Sequence, residues 1–272
     1  MIIKKNQWIK SNSFTTFIYQ EFHALKNYVR YSRFHDPTRI IRYKELHKND
    51  TIFVLGSGPS LASENLMLLN GKIVISYNAS YMALTEVSPK CHYSCISGSR
   101  VNLLAGTDRT NFDASFRCIG AYRGKINAGA IHEDDIVIRI PIKFFLFRFF
   151  DSKAGFSSEL SEYMLHGGAG SGLFYAIQIA AYMGASKIVL LGADFCADGQ
   201  VGHFADFGQL ESQPAQKVAE LYSMRYSKRI KPALVRYNKE ANRRSFSLIN
   251  ASKRTADDVL LKDSLENIVS HS

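Results

Sequence analysis

Three short runs of this chain are apolar almost from end to end: Thr51-Ile52-Phe53-Val54-Leu55, Lys72-Ile73-Val74-Ile75 and Lys187-Ile188-Val189-Leu190-Leu191. Runs this short are strands rather than helices, and a strand without apolar–polar alternation is one buried on both faces. Such strands belong inside a parallel sheet covered by helices on either side. Weaker strand candidates span residues 91–96, 115–119, 135–140 and 246–249. The clearest helix begins at Leu173, where Ala176, Ile177, Ala180 and Ala181 recur at helical spacing and Gly184 supplies a stop. Strands alternating with helices predict an α/β fold, Rossmann-like, with a mostly parallel sheet flanked by helices.

Composition agrees with a folded chain. Of 272 residues, 46% are hydrophobic and only six are proline, which excludes disordered and fibrous classes. The net charge of +10 is uneven. Residues 1–50 hold ten basic and four acidic groups, and residues 214–254 hold eleven and two. Between them, residues 51–213 are nearly neutral. The division expected is therefore a basic helical extension over 1–50, a core over 51–213, and a basic helical segment with the last strand over 214–272. The extension is broken at His35-Asp36-Pro37, since proline cannot continue a helix.

Cys91, Cys95, Cys118 and Cys196 lack the spacing of a disulfide framework and read as thiols of a reducing compartment. The N-terminus has no apolar leader segment, and no apolar run has the length of a membrane span. The expected location is cytoplasmic, peripheral on the inner membrane at most.

In an open parallel sheet, ligands bind beyond the carboxyl ends of the strands, near the point where strand order reverses. The strands here end in small or polar residues: Gly56-Ser57-Gly58, Ser76-Tyr77-Asn78, Gly192-Ala193-Asp194 and Asn250-Ala251-Ser252. Gly56, Ser57 and Gly58 permit close backbone approach, and Pro59-Ser60 suits the opening of a helix running to Leu69 whose N-terminus would attract an anion. Gly170-Ser171-Gly172 is a second glycine-rich helix start. Leu61 stands where a dinucleotide fingerprint has its third glycine, and no lysine follows as in a P-loop. Plain turns, or glycines packing on the sheet, are the competing roles of both segments. Asp194, at the end of an apolar strand, must be hydrogen-bonded or bind something. His203, in the polar loop beyond it, suits proton transfer or phosphate contact. Asp194, Asp198, His203 and Asp206 could surround magnesium through water, but ordinary turns use the same residues, and no metal site is assigned. The basic, aromatic stretch 139–150 is a buried element or one lying at an interface.

Phe53-Val54-Leu55-Gly56-Ser57-Gly58-Pro59-Ser60-Leu61, Asn78, Gly170-Ser171-Gly172 and Gly192-Ala193-Asp194-Phe195 together resemble the family 42 bacterial sialyltransferases. The Kdo transferases of lipopolysaccharide inner core and the 6-hydroxymethylpterin diphosphokinase-like domain share this layout. The resemblance covers residues 51–85 and 167–208. It implies a GT-A-like variant with a single nucleotide-binding domain, in which Asn78 and Ser171 contact a nucleotide sugar. Ser57 replaces a family asparagine, and Cys196 stands where a tyrosine steadies the leaving phosphate. His203 falls close to a second such tyrosine. Tyr226 is the nearest counterpart of the family's general-base histidine.

The expected function is a glycosyltransferase moving an acidic sugar, of sialic acid or Kdo type, from a CMP-activated donor to a bacterial surface glycan or lipopolysaccharide acceptor. His203 and Asp194 are its catalytic candidates. Gly56, Ser57, Gly58, Asn78, Gly170, Ser171 and Gly172 are its donor-binding candidates. No cofactor is required by this chemistry, and magnesium has no positive support. The expected partners are the CMP-sugar, a glycan or glycolipid acceptor and an anionic inner-membrane surface, with no nucleic acid. Two rivals are a magnesium-dependent pyrophosphoryl transferase on a pterin-like alcohol and a non-catalytic protein binding anionic membrane or nucleic acid.

Overall fold

A computed structural model describes residues 26, 29, 34–97, 111–119, 131–139, 156–162, 171–195, 223–224 and 226–271. Among the described residues, eight strands form one sheet: β1 (Thr51–Leu55), β2 (Ile73–Tyr77), β3 (Cys91–Ser97), β4 (Ala114–Ile119), β5 (Ile136–Arg139), β6 (Lys187–Leu191), β7 (Ser247–Asn250) and β8 (Leu261–Lys262). Every pairing is parallel, and the spatial order is β5-β4-β3-β2-β1-β6-β7-β8. The fold is therefore α/β and Rossmann-like, as the apolar runs predict. The order reverses between β1 and β6, which places the switch point at their carboxyl ends.

The α-helices whose full spans are described are α1 (Pro37–Ile41), α2 (Leu173–Tyr182), α3 (Lys231–Arg243) and α4 (Leu265–Ser270). Strand alternation divides the core in two. Ile52, Val54, Ile188 and Leu190 pack with α2 and α3 on one face. Phe53, Leu55, Val189 and Leu191 pack with α4 and the short 3₁₀ segments on the other. Right-handed crossovers running in opposite directions from β1 require this division. Nine of the ten residues of α2 are buried, so its small residues lie directly against the sheet. Phe174 of α2 meets Tyr237 of α3 edge to face at 4.7 Å, and Gln178 Nε2 donates to the Tyr237 hydroxyl at 2.8 Å.

One sequence expectation needs correction. The segment after Gly58 is not a helix to Leu69 but two 3₁₀ turns, Pro59–Ser63 and Leu66–Leu69, separated by extended Glu64. Ser63 Oγ donates to the Ser60 carbonyl at 2.8 Å, a local bond of the kind that competes with continued α-helix. The break expected at His35-Asp36-Pro37 is present, and a short helix starts directly after it. Asp36 Oδ1 accepts from Thr38 N–H at 2.9 Å and caps α1, with Pro37 in the first turn.

The chain that follows α1 is fastened to the core. Glu45, His47 and Asn49 donate backbone bonds to Tyr182, Met183 and Gly184 at 3.0, 2.8 and 2.9 Å. Tyr43 packs edge to face on Phe116 at 5.2 Å. Gly184 has φ +89, and a Cβ there would lie 3.0 Å from Lys48 Cα, so glycine both ends α2 and admits this segment. Within the sheet, Arg117 of β4 and Asp135 pair at 3.0 Å with both side chains 1% exposed.

His92 generates a prediction. Burial holds its imidazole down at about 4, from an ordinary 6.5, while Nε2 lies 3.0 Å from Ser76 Oγ. Between those two pH values the unfolded chain binds the extra proton and the fold does not, so stability is lost as pH falls through that window. The loss attributable to this group approaches about 3 kcal/mol. Urea titrations over the same range should show a flatter acid limb for His92→Gln than for the parent.

Candidate functional site

The carboxyl ends of β1 and β6 meet through their backbones. Gly56 N–H donates to the Leu191 carbonyl at 2.7 Å, and Gly58 N–H to the Gly192 carbonyl at 2.8 Å. A Cβ on Gly56 would stand 2.5 Å from Gly192 O, and one on Gly58 would stand 2.6 Å from both Gly192 O and Asp194 Cγ. The glycines of the first turn are thus required by the seam between the two strands, before any ligand is considered.

Asp194 faces the same turn. Its Oδ2 accepts the Ser60 N–H at 2.8 Å, and its Oδ1 accepts the Ser60 hydroxyl. The chain's own carboxylate therefore occupies the N-terminus of Pro59–Ser63, the position the sequence offers to an external anion. Burial raises the Asp194 carboxyl above its ordinary value, with the two Ser60 bonds and the charge of Arg254 acting the other way. The β7 end braces this arrangement from behind. Ser252 Oγ accepts the Ala193 N–H at 2.8 Å. Asn250 Nδ2 donates to Ala193 O at 3.3 Å and to Asp257 Oδ2 at 3.2 Å. Asn250 is 1% exposed, so this polar strand end is an internal support.

A second cluster forms where β2, β3 and the start of α2 come together. Asn78 has φ +51, a left-handed conformation that asparagine tolerates better than most residues. Its Oδ1 accepts the Ser97 N–H at 3.1 Å. The Tyr77 hydroxyl lies 2.9 Å from Ser97 Oγ, and burial pushes that phenol up to about 12, opposed by hydrogen bonds from Ser97 and Asn78. Gly172 lies against the same ring, and a Cβ there would overlap the phenol oxygen. The N-cap residue of α2 is Gly172, which has no side chain with which to cap the first turn, and α2 is the longer of the two helix starts named from sequence.

Among the residues expected from sequence, Gly56, Gly58 and Asp194 are brought together at the seam, with Ser57 half-buried between the glycines. Asn78 and Gly172 share the Tyr77 cluster, next to half-buried Ser171. His203, Gly170, Cys196, Asp198, Asp206 and residues 140–150 lie outside the described residues. Tyr77, Ser97 and Arg254 were not singled out from sequence. Tyr77 precedes Asn78 on a strand end, which was the available signal, whereas nothing local marks Ser97 as its partner.

Tyr226 sits beside Phe195, ring centroids 6.1 Å apart, and donates its hydroxyl to Asp258 Oδ1 at 2.8 Å. Burial and the neighbouring carboxylate raise its phenol, so at neutral pH it is a hydrogen-bond donor and not a base. A groove of about 320 Å³ opens at the ends of β7 and β8, lined in part by Glu64, Asn250, Ser252, Lys253, Ser264 and Glu266. Neither Asn78, Ser171 nor Asp194 lines it. Among the described residues, no three His, Cys, Asp or Glu side chains are grouped to hold a metal ion. No helix among them is long and apolar enough to cross a membrane.

No protein-family model matches this chain, and no curated protein matches it in sequence. Among solved structures, it is similar to the sialyltransferase CstII from Campylobacter jejuni, solved in complex with a substrate analogue, cytidine-5'-monophosphate. The identity is 12%, the TM-score 0.44, and the match covers 79% of this chain and 85% of that one. Likeness at this level says nothing of donor, acceptor or catalytic groups in the present chain.

The seam itself is open to test. Gly58→Ala should destabilise the protein by about 1–3 kcal/mol through overpacking, because one of the two groups it meets is backbone and cannot swing away. Urea unfolding measures this, and an unchanged midpoint would mean that the β1–β6 contact is looser than described.

Proposed function

We propose that this chain is a glycosyltransferase that takes an acidic sugar of sialic acid or Kdo type from a CMP-activated donor. The proposed acceptor is a bacterial surface glycan or lipopolysaccharide. The observation that carries the proposal is the convergence, on the carboxyl edge of a parallel sheet, of the Asn78–Ser97–Tyr77 cluster with the start of α2, whose N-cap is the glycine Gly172. Open α/β sheets bind nucleotides at this edge.

In this reading the donor phosphate faces α2 rather than the first turn, because Asp194 already fills the helix end after Gly58. The first backbone N–H groups of α2 and its dipole favour a phosphate there, close to Ser171 and Gly172. Asn78 and Ser57 hydrogen-bond the nucleotide sugar. Asp194 shapes the pocket by fixing Ser60. A base then deprotonates the acceptor hydroxyl, whose oxygen attacks the anomeric carbon as CMP leaves with the bonding pair. His203 is assigned that proton, since Tyr226 holds its own proton against Asp258. Charge on the departing phosphate is met by helix-end dipoles and neutral donors, so the transfer needs no metal in this scheme.

Calorimetric titration with CMP and CMP-sugars, followed by donor-hydrolysis and transfer assays, tests the proposal. CMP should bind without magnesium. Asn78→Ala should weaken it by about tenfold, the loss of one ligand hydrogen bond. His203→Ala should lower turnover while leaving CMP affinity intact. Absence of both binding and turnover with every CMP-sugar would end the proposal, and strict magnesium dependence with ATP consumption would identify pyrophosphoryl transfer instead.

A further inference from the structure

The described segment from residue 226 to 244 carries seven basic residues against one acidic, Glu240. Its helix, α3, buries one side completely: Ala233, Leu234, Tyr237 and Ala241 pack into the core. Helical geometry then puts Pro232, Val235, Lys239 and Arg243 along the opposite side, and all four are exposed. Lys228 and Arg229, exposed in the turn Tyr226–Ile230, extend this strip beyond the helix start. The acidic neighbours answer only part of the charge. Glu240 pairs with Arg243 at 2.8 Å and with Arg244 at 3.3 Å, and Asp258 pairs with Lys231. Among the described residues no ion pair answers Lys228, Arg229 or Lys239, which are exposed on the side of Val235, itself 51% exposed.

The apolar contacts that hold α3 to the core lie on its buried side, away from this strip. Like charges along one helix face repel, and they are tolerated where an external anionic surface neutralises them. A valine and a proline set among the cations add apolar contact, which is useful at a headgroup boundary and gains nothing on a phosphodiester backbone. The core-facing side of α3 is already occupied, so the helix would rest on a surface and not insert into it.

We propose that the outer face of α3, with the turn before it, docks on a bilayer containing acidic phospholipid. The attraction comes from Lys228, Arg229 and Lys239, each worth roughly fivefold in partitioning close to an anionic membrane. It weakens as salt screens the charges. The docking goes beyond the sugar-transfer proposal and does not require it.

Co-sedimentation of the full chain with phosphatidylcholine vesicles, with and without phosphatidylglycerol, tests this. Binding should need phosphatidylglycerol and be reversed by high salt. The triple variant Lys228→Gln, Arg229→Gln, Lys239→Gln should partition about a hundredfold less, and Lys239→Gln alone about fivefold less, if the cations act independently. Because all three side chains are exposed, their thermal melts should match the parent. Equal binding to neutral vesicles would overturn the proposal, as would retention of vesicle binding by the triple variant. Salt-sensitive binding to duplex DNA through the same three cations, without vesicle binding, would assign the face to nucleic acid instead.

Discussion

Everything at the candidate site depends on how closely β1 and β6 approach each other at their carboxyl ends. The two strands are buried on both faces, and their register runs unbroken from Thr51 with Lys187 to Leu55 with Leu191. Beyond that point the backbones stay in contact only because Gly56, Gly58 and Gly192 present no side chains. The close approach brings the Asp194 carboxylate over Ser60, where it satisfies a backbone N–H and a hydroxyl otherwise left in a dry environment. The Asn250, Ser252 and Asp257 network then holds the β6 end from the other side. Loss of any one glycine would disturb all of these contacts.

This seam also divides the carboxyl edge into two unlike parts. On the β1–β6 side, polar groups are consumed by each other, and the arrangement is a brace. On the β2–β3 side, Asn78, Ser97 and Tyr77 form a smaller cluster beside a helix start whose N-cap is glycine, Gly172. Chemistry that needs a fixed floor and an adaptable wall is suited by that division. The basic face of α3 begins close by, since Tyr226 touches Phe195, the residue following Asp194.

Much of the fold could be read from local pattern. The buried strands β1, β2 and β6 are continuous apolar runs, and α2 is marked by small residues at helical spacing and by Gly184. Strand β8 was missed because two exposed residues, Leu261 and Lys262, carry no periodic signal. The turn after Gly58 was misjudged for a different reason. Pro59-Ser60 has the composition of a helix start, but hydroxyl and carboxylate partners hold the segment in 3₁₀ turns. Arg117 looks like a surface residue in sequence, yet its charge is matched inside the sheet by Asp135.

For the site, the sequence located the ends of the strands and the residue types that gather there. It could not say which polar groups would be used up among themselves. Asp194 reads equally as a ligand and as a cap until Ser60 is seen 134 residues away in the chain, with its N–H 2.8 Å from the carboxylate. Tyr77 has no special standing until Ser97 and Gly172 are brought against it. Hydrophobic periodicity is local, so the sequence by itself determined the parallel sheet, its central strands and the basic flanks. Hydrogen-bond satisfaction is a matter of partners distant along the chain, so only the tertiary structure decided which polar strand ends brace the fold and which lie beside the start of α2.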